Sequence, residues 1–243
     1  GVGNGNTALL VLAFESADHP LQAWMARALE LVADHGGNWD RASVDRSMAP
    51  PAALQEGEGE HRKGAAGDWR NQFLRAPYYR NYLTPAGLIL DTFETAITWD
   101  RFDGFYAGVR ERMGKVLKEV GGSDPMLSCR FTHIYPDGPA PYFTFYCMGS
   151  KTGDMAAMLD RWRTIKLAAN EVVTSLGGTV THHHAVGRDH RPMGYDLQVP
   201  PLFREAFAGA RHALDPSGMM NPGVLLDTPH RGAVAGGVLR HPS

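Results

Sequence analysis

The sequence predicts an α+β fold, a ferredoxin-like antiparallel sheet with helices on one face. Helical and strand-like segments alternate along most of the chain, which is typical of a sheet covered by helices. In the centre, strand-like segments over residues 126–135 and 142–148 follow one another directly. The turn between them, Pro136-Asp137-Gly138-Pro139, has the residues of a tight hairpin connection. Helices on either side of this hairpin indicate the split βαβ order of ferredoxin-like domains.

The first part of the chain predicts a strand, a helix, a long loop and a second helix. Residues 9–14 form a short apolar run that is typical of a buried strand. Residues 19–34 carry apolar side chains at helical spacing and are followed by Gly36-Gly37, a helix stop. Residues 38–66 are rich in proline, glycine and charge, so we expect a long loop there. A polar and aromatic helix is expected over residues 68–80.

The remaining elements frame the central hairpin. We expect a strand over residues 88–95, helices over 100–120 and 154–176, a strand over 179–184 and a helix over 200–214. This order suggests three regions. They are a ferredoxin-like domain over residues 8–199 with the loop and helix of 38–87 inserted, a C-terminal helical segment over 200–226 and a flexible tail over 227–243.

The composition argues against nucleic-acid binding and against a membrane-spanning helix. Hydrophobic residues make up 43% of the 243 residues, charged residues 21%, and the net charge is −2. A balance so close to neutral does not favour nucleic-acid binding. No apolar run approaches the roughly 20 residues that a membrane-spanning helix needs. Two cysteines, Cys129 and Cys147, lie in strand-like segments and indicate buried thiols in a reducing compartment. With a C-terminus that is not Ser-Lys-Leu, this favours a cytoplasmic location.

Three consecutive histidines, His182, His183 and His184, form the most unusual feature of the chain. Imidazoles donate and accept hydrogen bonds and titrate near neutral pH, so the cluster suits proton transfer or anion binding. In a strand, only His182 and His184 would share a face. Without a His-Glu-x-x-His or Cys-x-x-Cys pattern to complete a ligand set, we predict no metal site. Hydrogen-bonded histidines at a strand end and a catalytic or cofactor-facing cluster both remain open.

Several blocks of the sequence together resemble a known family. They are Asp91-Thr92-Phe93-Glu94-Thr95-Ala96, then Cys129-Arg130-Phe131-Thr132, then Tyr142-Phe143-Thr144-Phe145, and finally His182-His183-His184-Ala185-Val186-Gly187-Arg188. In this order and spacing the chain resembles the C-terminal half of the alkyldihydroxyacetonephosphate synthases. These are flavoproteins of the vanillyl-alcohol oxidase type. The resemblance covers about residues 8–226, nearly the whole sequence.

The resemblance implies roles for particular residues. Tyr142 matches the catalytic tyrosine, and Arg80 matches the arginine that binds the substrate phosphate or carboxylate. The three histidines match those required for activity beside the flavin, with His184 and Asn221 as expected cofactor contacts. The implied cofactor is FAD, held mainly by a domain that this chain does not contain. The implied partners are a lipid-phosphate or hydroxy-acid substrate and that FAD-binding domain, with a second copy of the chain as a further candidate.

The sequence departs from the family pattern in ways that keep other functions open. Ala185 replaces a glycine and Arg188 a lysine of the family block. The segment Asp215-Pro216-Ser217-Gly218-Met219-Met220-Asn221-Pro222-Gly223 is similar instead to the wider group of FAD-linked oxidases. The leading hypothesis is acyl-to-alkyl exchange on dihydroxyacetone phosphate, a step of ether-lipid synthesis. An FAD-linked oxidoreductase acting on a hydroxy acid or alcohol is the alternative. A non-catalytic ferredoxin-like binding module is the alternative of another class.

Overall fold

The chain folds into two compact units, Gly1–Tyr79 and Arg80–Ser243. A computed structural model describes residues 7–49, 64–121 and 126–227. The second unit contains the β-sheet and nearly all of the buried residues of the described chain. It therefore positions the candidate site.

The first unit is helical. It contains α1 (Gln22–Asp34), α2 (Arg41–Ser47) and most of α3 (Gly64–Leu83). Asp40 caps α2, because its carboxylate accepts a hydrogen bond from the backbone N–H of Ser43 at 3.0 Å. The predictions of α1 and α3 are confirmed. None of the residues of α1 and α2 is buried.

Two predictions for this unit need correction. The apolar run over residues 9–14 is not a strand: its residues have no regular structure, and Leu10 is 62% exposed. A strand forms only against a partner strand, and none in the described ranges pairs with this run. The loop expected over residues 38–66 contains helix α2. The part of that loop over residues 50–63 lies outside the described residues.

The second unit is built on a three-stranded antiparallel sheet. Its strands are β1 (Leu88–Glu94), β2 (Met126–Ile134) and β3 (Pro139–Met148), in the spatial order β1-β3-β2. The predicted hairpin is confirmed as β2 and β3, although β3 already begins at Pro139. The α+β class of fold is confirmed as well.

Two long helices cover one face of this sheet. They are α4 (Trp99–Gly121) and α5 (Met155–Ser175), which contact each other and the strands. The core contains Phe93, Phe143 and Phe145 from the sheet, Phe105, Met113 and Leu117 from α4, and Ile165 and Val173 from α5. Such aromatic and aliphatic burial is the main favourable term in folding. This core holds β1 and β3 rigidly beneath the candidate site.

The opposite face of the sheet points away from α4 and α5, and we call it the outer face. Because side chains alternate along a strand, Ile89, Asp91 and Phe93 point to the helices while their neighbours do not. The outer face is defined by Thr92, Glu94, Arg130 and Tyr142. The register aligns Tyr142 with Glu94 on one side and with Arg130 on the other. Polar groups are thus concentrated at one end of this face.

The strand predicted over residues 179–184 is wrong. After α5 the chain passes Gly177-Gly178 and forms bends rather than a fourth strand. The cause lies in the backbone N–H groups, because those of His182, His183 and His184 all point to one carboxylate. In a strand, successive N–H groups alternate in direction and cannot do this.

The C-terminal segment is helical, as expected. An irregular turn over Arg191–Tyr195 leads to α6 (Asp196–Gln198) and α7 (Pro201–Leu214). Beyond α7, Asp215 accepts the backbone N–H groups of Met219 and Met220 and closes a tight turn. The predicted tail falls outside the described residues from position 228 onward. Among the described helices, none combines the length and apolar character needed to cross a bilayer.

The hairpin turn depends on the absence of a side chain at Gly138. A Cβ atom there would lie 2.0 Å from the carbonyl oxygen of Ile97, which is backbone and cannot rotate away. We expect Gly138→Ala to lower the free energy of unfolding by about 3 kcal/mol. The matched control is Gly114→Ala in α4, where an added Cβ meets nothing within 4 Å. That change should raise stability by about 0.5–1 kcal/mol through helix propensity. Urea unfolding of both variants tests the pair, and equal stabilities would contradict the prediction.

Candidate active site

Glu94 is the centre of the candidate site. It ends β1, and its side chain is completely buried. Its Oε2 atom accepts backbone N–H groups from three consecutive residues, His182, His183 and His184, at 3.0, 2.9 and 3.2 Å. Its Oε1 atom contacts the Nδ1 atoms of His182, at 3.0 Å, and of His183. One carboxylate thereby folds residues 181–184 into a tight bend, which we call the histidine turn.

The histidine turn is anchored beside the end of β1. The Thr181 hydroxyl donates to the carbonyl of His184 at 2.7 Å and closes the turn. Just before it, the Thr179 N–H donates to the carbonyl of Ala96 at 3.1 Å, and the Ala96 N–H donates to the Thr179 hydroxyl at 3.1 Å. Gly177, with φ of +78°, lets the chain leave α5 in this direction. These hydrogen bonds anchor the chain that leads into the histidine turn and close the turn itself.

Tyr142 lies at one end of the histidine turn. Its ring centroid is 5.5 Å from that of His184, and the two rings are perpendicular. Its hydroxyl donates to the Thr92 hydroxyl at 3.0 Å. The guanidinium carbon of Arg130 lies 4.3 Å from the centre of the tyrosine ring, a cation–π contact. The structure thus brings together Tyr142 and His184, two of the residues singled out from the sequence.

The other end of the histidine turn carries two further aromatic residues. His133 has its ring centroid 5.1 Å from that of His182 and 5.0 Å from that of His183. The Tyr135 hydroxyl lies 3.1 Å from Nε2 of His182. Atoms of Glu94, His133, His182 and His183 that could bind a metal all lie within 4.8 Å of one another. The Glu94–His182 distance of 3.0 Å is that of a hydrogen bond, and the absence of a metal stays a prediction.

The electrostatics of the site follow from Glu94. Burial raises the pKa of this carboxyl, but the N–H groups of the histidine turn and the charge of His183 outweigh burial and leave it below the usual value. Glu94 is consequently ionised at neutral pH and can only accept hydrogen bonds. The Nδ1 atom of His182 is therefore the donor in its hydrogen bond to Oε1 of Glu94. The turn is thus oriented by a fixed negative charge.

The two other predicted residues lie apart from this cluster. Arg80 lies at the outer edge of β1, where its Nη1 atom is 3.9 Å from Oδ1 of Asp91. Asp91 points to the helix-covered face, so this contact does not bring Arg80 to the histidine turn. Asn221 is exposed and has φ of +45°. Its loop is tied to the segment after the histidines, because Arg188 donates to the carbonyl of Pro222 at 2.8 Å.

Sequence reasoning missed three residues of the site, namely Glu94, His133 and Tyr135. The residue type of Glu94 gave no local signal of burial, since an acidic residue that alternates with the interior residues Phe93 and Thr95 is expected to face solvent. A buried carboxylate requires donors, and these had to come from elsewhere in the chain. No local pattern indicates that the donors are the backbone of the histidine triplet. That pairing joins residues 88 positions apart.

A comparison with protein-family models identifies the chain. Residues 5–225 match the model described as FAD linked oxidases, C-terminal domain. The chain belongs to this family. As an FAD-linked oxidase C-terminal domain, it acts with FAD as its cofactor. The predicted cofactor is thereby confirmed at the level of the family.

The FAD-linked oxidase domain is similar to several named proteins. It is 28% identical to an alkyldihydroxyacetonephosphate synthase of Trypanosoma brucei brucei over 66% of this chain and 25% of that protein. It is 32% identical to one of Caenorhabditis elegans over 46% of this chain and 18% of that protein. A solved structure of an alkyldihydroxyacetonephosphate synthase aligns with a TM-score of 0.42 and 16% identity over 63% of this chain and 24% of that one. The domain thus spans a quarter or less of these relatives.

The outer face offers a wall suited to a flavin ring. Tyr142 is half-buried, and His184 has 36% of its side chain exposed beside it. A planar, polar-edged ring needs an aromatic surface together with hydrogen-bonding groups, and this end of the outer face presents both. The residues therefore fit FAD on one side. Contacts of His184 and Asn221 with the cofactor stay predictions.

Proposed function

We propose that this FAD-linked oxidase domain is the substrate-binding part of an enzyme that exchanges an acyl for an alkyl chain on dihydroxyacetone phosphate. The single observation that carries the proposal is the pairing of Tyr142 with the histidine turn on the outer face. Relatives named alkyldihydroxyacetonephosphate synthase support it from the sequence. The net reaction replaces a carboxylate leaving group by an alcohol and needs no oxidant.

Each group has a defined task in this proposal. Tyr142 moves a proton at the reacting carbon, because its hydroxyl lies on the outer face and hydrogen-bonds to the Thr92 hydroxyl. Arg130 is fixed over the Tyr142 ring and places a positive charge near a phosphate bound there. Arg80 is the second candidate for the phosphate, with a side chain that is 55% exposed. The histidine turn accepts and returns protons beside Tyr142.

FAD, when bound, supplies a ring that can accept and return electrons. The same site therefore suits an oxidoreductase that acts on a hydroxy acid or alcohol. The match of the chain to the FAD-linked oxidase model favours this second candidate. The two candidates differ in whether electrons leave the enzyme.

An anaerobic absorption spectrum of the FAD-loaded protein tests the proposal. We expect acyl-dihydroxyacetone phosphate to bleach the flavin and to release fatty acid without an electron acceptor. Bleaching only by a hydroxy acid, with colour returning on addition of an acceptor, would establish the oxidoreductase instead. If the chain together with its FAD-binding domain binds no flavin, both candidates are excluded and the binding module is left.

The Tyr142→Phe variant tests the role of the outer face. It keeps the ring and removes the hydroxyl, so we expect the rate of fatty-acid release to fall by about 10²–10⁴-fold with little change in folding. Tyr146→Phe is the matched control, because Tyr146 lies on the same face of the same strand and is 41% exposed. Equal rates in the two variants would remove Tyr142 from the mechanism. Stopped-flow spectra and thermal melting curves supply both readouts.

A further inference from the structure

Three side chains form a hydrogen-bonded chain at the end of the histidine turn that carries Tyr135, and we call this chain the line. The Tyr135 hydroxyl is 3.1 Å from Nε2 of His182, and Nδ1 of His182 is 3.0 Å from Oε1 of Glu94. A phenol, an imidazole and a buried carboxylate are thus joined through the two nitrogens of one ring. This is the arrangement in which a carboxylate orients an imidazole as a base toward a hydroxyl.

The direction of these hydrogen bonds follows from Glu94. An ionised carboxylate has no proton to donate, so His182 must donate from Nδ1. Nε2 is then the ring atom that faces the Tyr135 hydroxyl, 3.1 Å away. The backbone N–H of His182 also donates to Glu94, at 3.0 Å, which fixes the imidazole relative to the carboxylate. The carboxylate thus fixes the direction of the hydrogen bond from Nδ1 of His182 to Glu94.

The Tyr135 end of this line opens on a pocket that Tyr142 does not line. Tyr135 and His182 line an open pocket of about 500 Å³. Its charged lining residues are Arg101 and Asp137. The Nη2 atom of Arg101 donates to the carbonyl of Leu176 at 2.8 Å, which holds the guanidinium at the wall of the pocket. The pocket therefore combines the Tyr135 hydroxyl, which His182 contacts, with the guanidinium of Arg101 and the acidic side chain of Asp137. These are the groups that bind and deprotonate an alcohol or hold a carboxylate.

We propose that Tyr135, His182 and Glu94 form a second proton-transfer site, which takes the hydroxyl or carboxyl head of a chain-bearing ligand in this pocket. The chemical assignment of the ligand rests on the proposed function. The entering alcohol gives its proton to the oxygen of Tyr135 while the phenolic proton moves to Nε2 of His182. The alkoxide oxygen forms the new C–O bond. That bond forms to the carbon of dihydroxyacetone phosphate that carries the acyloxy group. The bond between this carbon and the ester oxygen breaks with its electron pair on the departing carboxylate, and the proton held by His182 returns through Tyr135 to that carboxylate. Charges and atoms balance without a redox partner.

Tyr142 and Tyr135 then have separate roles at the two ends of the histidine turn. The ring centroids of Tyr142 and His184 are 5.5 Å apart, and those of Tyr135 and His182 are also 5.5 Å apart. Tyr142 serves the outer face, whereas Tyr135 serves the pocket.

Nitrogen NMR of the FAD-loaded protein, labelled with ¹⁵N-histidine, tests the hydrogen-bonded line without using activity. The signals of His182 are assigned by their loss in His182→Gln. We expect Nδ1 to be protonated and Nε2 to be unprotonated. Tyr135→Phe should shift the Nε2 signal and leave Nδ1 protonated, while Tyr146→Phe changes neither. A proton on Nε2, an Nε2 signal indifferent to Tyr135→Phe, or an unprotonated Nδ1 that gains a proton after chelator treatment would each overturn the proposal.

Kinetics then test the ligand. We expect Tyr135→Phe to slow alcohol-dependent formation of the alkyl product by about 10²-fold or more, with unchanged affinity for acyl-dihydroxyacetone phosphate and normal Tyr146→Phe rates. Full alkyl formation in Tyr135→Phe would overturn the second site. If the wild-type protein never releases fatty acid from this substrate, the proposed function fails instead. The NMR result then decides the fate of the proton line independently.

Discussion

Replacing Glu94 by glutamine is expected to lower the free energy of unfolding by about 3 kcal/mol and to release the histidine turn. The carboxylate accepts backbone N–H groups of His182, His183 and His184 and contacts two imidazole nitrogens. A glutamine amide keeps one acceptor but sets an NH₂ group against these donors. Buried donors are then left unpaired, which is costly because water cannot reach them. Thermal melting should show a decrease of about 10 °C.

The lowered pKa of Glu94 also predicts the direction in which stability changes with pH. The folded pKa of Glu94 lies below its unfolded value, which the ordinary carboxyl pKa of 4.5 represents. Its contribution is therefore fully present above that pH and is lost as the pH falls through the folded pKa. Glu94→Gln should remove this acid-dependent part, so the variant and the wild type converge in stability at low pH. Glu111→Gln is the control, since Glu111 pairs with Lys115 on the exposed side of α4 and should change stability by less than about 0.5 kcal/mol. A Glu94→Gln curve parallel to that of the wild type would contradict this account.

The predictable part of the fold is the part with local signals. The turn residues 136–139 lie between alternating apolar segments and predict the β2–β3 hairpin. Apolar periodicity and glycine stops predict α4 and α5. Both kinds of signal depend on neighbours a few residues away. They were sufficient for the sheet and the helices that cover it.

The two wrong strands fail for a common physical reason. Residues 9–14 and 179–184 are both short and β-like, but a strand is stable only with a partner. The first run has no pairing among the described residues, and the second gives its N–H groups to Glu94 instead. Short apolar runs carry no information about which partner they will find. Pairing is a long-range property that a single sequence does not display.

The candidate site was half predictable for a related reason. Tyr142 and the histidines stand out by residue type and resemblance, and the structure brings Tyr142 to His184. Glu94 and Tyr135 have no unusual local pattern, and their importance lies in contacts of 88 and 47 residues in sequence separation. The resemblance also singled out Arg80, which the structure places against Asp91. Residue type therefore identified candidates, whereas the fold decided which of them meet.

Asp91→Asn is the second change expected to have a large effect. Asp91 and Lys166 have side chains that are only 13% and 7% exposed, with Nζ 3.6 Å from Oδ2. Lys166 also donates to the carbonyl of Thr92 at 2.7 Å, and Trp162 donates to Asp91 at 2.6 Å. Removing the negative charge leaves a buried ammonium without a counter-ion, so we expect a loss of about 3–5 kcal/mol in the free energy of unfolding. Urea titration of the variant measures it.

A double-mutant cycle separates the charge from the packing. Asp91→Asn with Lys166→Met removes both charges and keeps an acceptor for Trp162, so most of the lost stability should return. Asp160→Asn, at an exposed pair with Arg163, is the control and should cost less than about 1 kcal/mol. A double variant as unstable as Asp91→Asn alone would show that the charge pair is not the cause.

A comparison of Arg80→Gln with Asp91→Asn decides how a loss of phosphate binding in Arg80→Gln is to be interpreted. Arg80 is 55% exposed and 3.9 Å from Asp91, so Arg80→Gln should change stability by less than about 1 kcal/mol, whereas Asp91→Asn removes the counter-ion of Lys166. A defect of Arg80→Gln in phosphate binding would then reflect the lost guanidinium and not a damaged sheet. Because Asp91 already neutralises Lys166, a phosphate that draws Arg80 away from Asp91 leaves the buried pair intact. Of the two cations beside Asp91, Arg80 and Lys166, Arg80 is therefore the one that can move away while the buried charge pair stays intact.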